Sequence, residues 1–175
     1  MKKFLCIALV FFITYASALA YEPISFSGVQ KADGLSAAEL FTNSKTWVAT
    51  AFNSAQDVTQ MADDNILIVK GIHAYDDGLC HGTLHFTLKV ECRDGRYKWT
   101  IYQLGLKVRW MTNPKEFDFG TLTDSETCDL HKGFFGAKKV NNIWRHAKEE
   151  ADTFQKLLVA DLEKSMTQKI VEEEW

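Results

Sequence analysis

Residues 83–102 read TLHFTLKVECRDGRYKWTIY, and the fold follows from them. From Thr83 to Cys92 the side chains alternate. Leu84, Phe86, Leu88, Val90 and Cys92 fall on one side, and Thr83, His85, Thr87, Lys89 and Glu91 on the other. A period of two with one apolar side predicts a half-buried strand. Asp94-Gly95 then supplies the strongest short hairpin signal in the chain, suited to a type I′ turn in which both central residues take positive φ. A two-residue turn sets Arg93 against Arg96, Cys92 against Tyr97, Val90 against Trp99 and Leu88 against Ile101, so the apolar sides coincide. On the polar side Glu91 meets Lys98, an opposite-charge pair. A slip of one residue would invert both faces, so the pattern specifies the register. The returning strand is expected to run to about Arg109.

Upstream, Ser36 stands three residues before Glu39, the spacing of a capping box, with Leu35 and Leu40 as its hydrophobic staple. Leu40, Phe41, Trp47, Val48, Ala51 and Phe52 recur at steps of three and four, which predicts a helix to about Phe52 with one apolar face. Two strands follow, Asp57 to Met61 and Ile66 to Ala74, joined by the turn Ala62-Asp63-Asp64-Asn65; Gly71 inside the second predicts a bulge or bend. The turn Asp76-Asp77-Gly78 leads back to Thr83.

Downstream, residues 110–139 lack a clear period and hold Pro114, Gly120, Gly133 and Gly136 among several aromatics, with a short edge strand expected over Phe117 to Leu122. A C-terminal helix, within residues 140–170, is expected to begin near Asn141 or Asn142. Its stripe runs Ile143, Ala147, Ala151, Phe154, Leu158 and Leu162, with Asp152 and Lys156 paired on its flank. The tail from Glu172 to Trp175 reads as a frayed end. The fold class is therefore α+β, a curved antiparallel sheet with two helices packed on one face.

Lys2 and Lys3, the apolar run Phe4 to Ile13 and the Ala18-Leu19-Ala20 ending have the pattern of a secretory signal peptide, cleaved near Ala20. The run is too short for a membrane span of roughly 20 apolar residues. The expectation is an exported protein, periplasmic or secreted, with a single domain over residues 21–175 and no transmembrane segment. Cleavage takes the formal charge from −3 to −5, because it removes two lysines and no acidic residue. That balance argues against nucleic acid as a partner, since phosphates demand a concentrated basic surface. Cys80, Cys92 and Cys128 remain, an odd number that leaves at least one thiol free or intermolecular.

The order strand, helix, antiparallel strands, helix resembles a family of exported bacterial proteins of unknown function predicted to share the fold of one TATA-box-binding-protein (TBP) repeat. The residues that carry the resemblance are Glu39, Leu40 and Trp47 of the helix, Lys70-Gly71 ending the apolar strand, and the hairpin Asp94-Gly95-Arg96-Tyr97. It spans roughly Ile24 to Val108 and implies the fold. It carries no catalytic residue, and a shared fold does not transfer DNA binding.

Chemistry-bearing residues are sparse. His73, Cys80, His81 and His85 invite a metal reading, but His81 and His85 on one extended strand lie about 13 Å apart at ~3.3 Å per residue, too far for a shared ion. No metal or cofactor is expected. Cys80 or Cys128 beside His81 or His131 raises the alternative of a small hydrolase or thiol enzyme, although the sequence has no papain-like surround, no G-x-S-x-G, no H-E-x-x-H and no phosphate-binding glycine loop. Cys92 points to the apolar side and reads as core, while Cys80 and Cys128 are the candidates for a disulfide. Asp63-Asp64 and Asp76-Asp77 read as turn residues that bond local backbone in preference to calcium ligands. His131, Lys132, Lys138 and Lys139 form a basic group suited to an acidic partner or anionic lipid, or to a solvated loop. Trp110, Phe117, Phe119, Phe134 and Phe135 either fill a second small core or serve as interface anchors.

The leading expectation is a non-enzymatic binding or envelope-associated module. Its site is the polar side of the hairpin: His85, Thr87, Lys89, Glu91, Lys98, Thr100 and Tyr102. The partner is a protein, an envelope component or a small ligand.

Overall fold

The Asp94-Gly95 hairpin forms the centre of the sheet in this computed structural model, which describes residues 21–52, 59–63 and 65–167. The export segment, Asp57, Val58, Asp64 and the tail from Glu172 lie outside those residues. Strands β1 (Phe26–Lys31), β2 (Thr59–Asp63), β3 (Ile66–Asp76), β4 (Cys80–Arg93), β5 (Arg96–Trp110) and β6 (Asn113–Thr121) make one antiparallel sheet. Its order is β1-β5-β4-β3-β2, with β6 also pairing β5. β1 takes the Arg96–Ile101 half of β5 and β6 the Gly105–Trp110 half, so both share one edge. Helices α1 (Ala37–Ala51), α2 (Lys132–Phe135) and α3 (Ala137–Met166) complete the described chain.

The expected register holds residue for residue from Leu88↔Ile101 to Arg93↔Arg96. The turn type does not: of its two central residues only Gly95 has positive φ, at 70°. A negative followed by a positive φ is the sign pattern of a type II turn. Asp94 instead turns its carboxylate to the N-terminus of α1, where Oδ1 accepts from Ala37 N at 2.8 Å.

The capping box forms as read: Glu39 N donates to Ser36 Oγ at 3.3 Å and Ser36 N donates to Glu39 Oε2 at 2.7 Å. α1 lays Leu40, Trp47 and Val48 on the sheet, and α3 runs beside it with Ile143, Ala147, Ala151, Phe154 and Leu162 buried. Leu40, Leu84, Leu88 and Ile101 have no exposed surface, and each such side chain contributes roughly 1.5–3 kcal/mol of burial. The helices meet where Trp47 Nε1 donates to Asp161 at 2.8 Å. α3 reaches the sheet through Tyr75 and His73 at one end and Gln30, bonded to Glu163, at the other.

β3 and α3 differ from the sequence expectation. Gly71 is not a bulge, since β3 pairs β4 without interruption from Ile66 to Asp76. Its lack of a side chain makes room for Phe86, whose Cζ would lie 2.4 Å from a Cβ there. The bulge sits one strand over, where Gln103 and Leu104 of β5 together oppose Phe86. α3 begins at Ala137, after Gly136 at φ 81° and without a side-chain cap. Asn141, near which the helix is expected to begin, lies inside it and accepts from Cys128 N at 3.2 Å, tying the preceding loop to the helix.

Candidate binding face

Both long helices cover the side of the sheet that carries Leu84, Phe86 and Trp99. The other side, with His85, Thr87, Lys89, Glu91, Lys98, Thr100 and Tyr102, is left bare by them. These seven residues therefore come together on one surface, because β4 and β5 are adjacent and the register aligns their polar sides.

Within it the contacts differ from those expected. Glu91 faces Lys98 across the ladder, but its carboxylate is held by Lys89 Nζ at 2.9 Å along the same strand. His85 Nε2 is bonded to Thr83 Oγ1 at 3.0 Å. Thr87 is the exception to exposure: it is only 3% accessible and donates to Gln103 Oε1 at 2.9 Å. The bulge accounts for this, since it places Gln103, at φ 54°, beside Thr87 on the open side.

Several residues of this face lie outside the seven. Ile72 is 65% exposed and Val29 61%, both on strands flanking the hairpin. At the turn end an open depression of about 270 Å³ is lined by Val29, Glu91, Arg93, Arg96, Tyr97 and Lys98. Glu91 is engaged by Lys89, Asp94 by the α1 N-terminus, and among the described residues Arg93, Arg96 and Lys98 make no ion pair. The depression is thus cationic with one apolar wall. Continuing the period-two alternation outward into β1 would have found Val29, and the two arginines flank the turn already recognised.

The histidines and thiols are dispersed. His81 and His85 lie on the bare side of β4, whereas Cys80 is buried toward the helices. His73 stacks on Phe154 at 4.4 Å and contacts Glu150 at 2.9 Å. Among the described residues no cluster of three such groups is placed to hold a metal ion. Cys80, Cys92 and Cys128 are all buried free thiols, so the Cys80–Cys128 pairing does not form. Burial, helped by the acceptor Asp77 Oδ1 at 3.3 Å from its sulfur, pushes the Cys80 thiol up to about 12. Burial likewise raises Cys92 to about 11, against a bond from Ser44, and raises Cys128. A thiol must ionise to attack, so none of the three is set up as a nucleophile.

Asp76 and Asp77 serve their own turn: Asp76 Oδ1 accepts from Gly78 N, and Asp77 Oδ1 from Leu79 N and Cys80 N. Burial raises the Asp77 carboxyl, but those donors and the nearby His146 outweigh it and leave the pKa lowered. Of the aromatics in 110–139, Phe117 and Phe119 are core, Trp110 and Phe135 half-buried, and Phe134 is 63% exposed.

A six-stranded antiparallel sheet with its helices on one side defines a TBP-like α+β protein. Two solved structures share it: a TBP-like protein from Parabacteroides distasonis ATCC 8503 and a DUF4468 family protein from Bacteroides ovatus ATCC 8483. The first is 13% identical with a TM-score of 0.58, covering 83% of this chain and 94% of its own. The second is 11% identical with a TM-score of 0.57, covering 86% and 90%. At such identities the likeness is one of fold. Residues 26–107 match the family described as a domain of unknown function (DUF4468) with TBP-like fold. Among curated proteins none matches. No helix among the described residues is long and apolar enough to cross a membrane.

Proposed function

We propose that this chain is a non-enzymatic binding module that holds an acidic partner against the bare side of its sheet. The observation that carries the reading is the cationic depression formed by Arg93, Arg96 and Lys98 in a chain whose formal charge is −3. Local charge opposite in sign to the whole molecule steers and orients a complementary ligand. Lys89 and Glu91 extend the charged rim, Thr100 and Tyr102 offer hydroxyls, and Val29 and Ile72 give apolar contact. The signal-like pattern of residues 1–20 supports a module that acts after export, in a chain that begins near Tyr21.

The test uses a fluorescein-labelled Glu-rich peptide and fluorescence anisotropy on the leader-free chain. Wild type is expected to bind with strong salt dependence. The double substitution Lys89→Glu, Lys98→Glu should weaken binding by roughly tenfold or more, as loss of complementary charge does, while the chain still unfolds cooperatively with only a small drop in melting temperature from the like charges set beside Glu91. Equal binding by the variant, or stronger binding of duplex DNA than of the peptide, overturns the reading.

A further inference from the structure

A second surface lies apart from the sheet face, around α2. Phe134 is 63% exposed and Leu130 48%. Phe134 packs edge-on against Phe135 at 4.7 Å and tilts on Phe117 at 5.0 Å, and Phe135 stacks on Trp110 at 5.0 Å. Lysines rim the rings: Lys139 Nζ lies 5.1 Å over Trp110 and Lys115 Nζ 5.5 Å over Phe117. Lys138 is exposed beside them.

This tip is held in place before any partner arrives. His131, at φ 59°, opens α2, and its Nε2 is bonded to Asp118 O at 2.7 Å. Its ring also contacts Phe117 and Phe119. A non-glycine residue held in the left-handed region implies a conformation that the surroundings enforce. Presenting an exposed phenyl ring on a braced turn lowers the ordering cost of binding.

We propose that this tip is a membrane-surface contact, in which Phe134 and Leu130 enter the boundary between headgroups and acyl chains while Lys115, Lys138 and Lys139 meet anionic lipid phosphates. Exposed apolar side chains flanked by amines on flexible stems match the layering of an anionic bilayer, with phosphates outside and hydrocarbon beneath, although Asp129 beside Leu130 is engaged by Lys132. The contact is peripheral and independent of the acidic-partner site.

Vesicle co-sedimentation tests it, comparing phosphatidylcholine alone with phosphatidylcholine containing about a third phosphatidylglycerol, a mixture with the negative surface potential that draws lysines. The leader-free chain should sediment with the anionic vesicles only, and less so at high salt. Phe134→Ser with Leu130→Ser, and separately Lys138→Glu with Lys139→Glu, should each reduce partitioning by roughly tenfold, a scale set by losing buried apolar area or paired charge. In a Trp175→Phe background, brominated acyl chains should quench Trp110, because Trp47, Trp99 and Trp144 are buried. Undiminished sedimentation of the Phe134 variant, equal binding to neutral vesicles, or unquenched Trp110 overturns the proposal. So does loss of vesicle binding on Lys89→Glu, Lys98→Glu, which would move the contact to the sheet.

Discussion

Gln103 holds φ at 54° in the middle of β5, a region uncommon for residues other than glycine and asparagine. Its effect is a change of parity. Before it Tyr97, Trp99 and Ile101 point to the helices; after it Leu104, Leu106 and Val108 do. The extra residue thus lets one long strand keep an apolar side through a bend. The shift is legible in the sequence, since the apolar positions move from odd to even numbers between Ile101 and Leu104, whereas the glycine that suggests a bulge, Gly71, is constrained by contact with Phe86. Sequence cannot separate those causes for a strand glycine, because the neighbour is supplied by another strand. Gln103→Gly and Gln103→Val both lose the bond from Thr87, so their difference isolates backbone strain. The valine variant is expected to be less stable than the glycine variant by about 1–2 kcal/mol, read from urea midpoints. Equal midpoints would mean that β5 reorganises and the bulge is not required.

The start of α1 joins local and distant signals in one element. Three of its free backbone N–H groups are taken up, two through the Ser36–Glu39 box and one by Asp94 from the β4–β5 turn. Gly95 completes the stitch, donating to Leu35 O at 2.8 Å and accepting from Ala32 N at 2.9 Å. Ser36→Ala should cost about 1 kcal/mol, lowering the melting temperature by roughly 2–4 °C for a chain of this size. Calorimetry that finds no drop would show that Asp94 alone suffices as the cap. The box was legible because both its members are four residues apart or fewer. Asp94 signals only a turn in the sequence, since its helix partner is 57 positions away. α3 illustrates the converse. Its stripe is evident from Ile143 onward, but it begins four or five residues before the position the stripe predicts, because Gly136 opens it without a capping side chain.

At the scale of the molecule, one side of the sheet is an apolar core and the other a mixed, partly cationic surface, with the thiols all on the core's account. The folded pKa of Cys80, about 12, and of Cys92, about 11, exceed the unfolded value of roughly 8.5. A buried neutral acid of this kind adds stability that is fully present below the unfolded pKa and is lost as pH rises through the folded one. The melting temperature should therefore fall between about pH 9 and 12, and the fall should be shallower in Cys80→Ala than in wild type. An identical pH profile would assign the alkaline loss to other groups, the buried Tyr75 and Tyr97 hydroxyls among them, which burial also raises. By itself the sequence determined the α+β class, the hairpin register, the capping box and the side of the central hairpin that faces the helices. These rest on periods of two and 3.6 and on contacts a few residues long. Only the tertiary structure decided that Arg93, Arg96 and Lys98 gather around one depression with no ion pair among the described residues, that Thr87 is buried under Gln103, that the thiols stay apart, and that Phe134 emerges while Phe117 and Phe119 do not. Each of those depends on which distant segments share a surface, and periodicity carries no information about that.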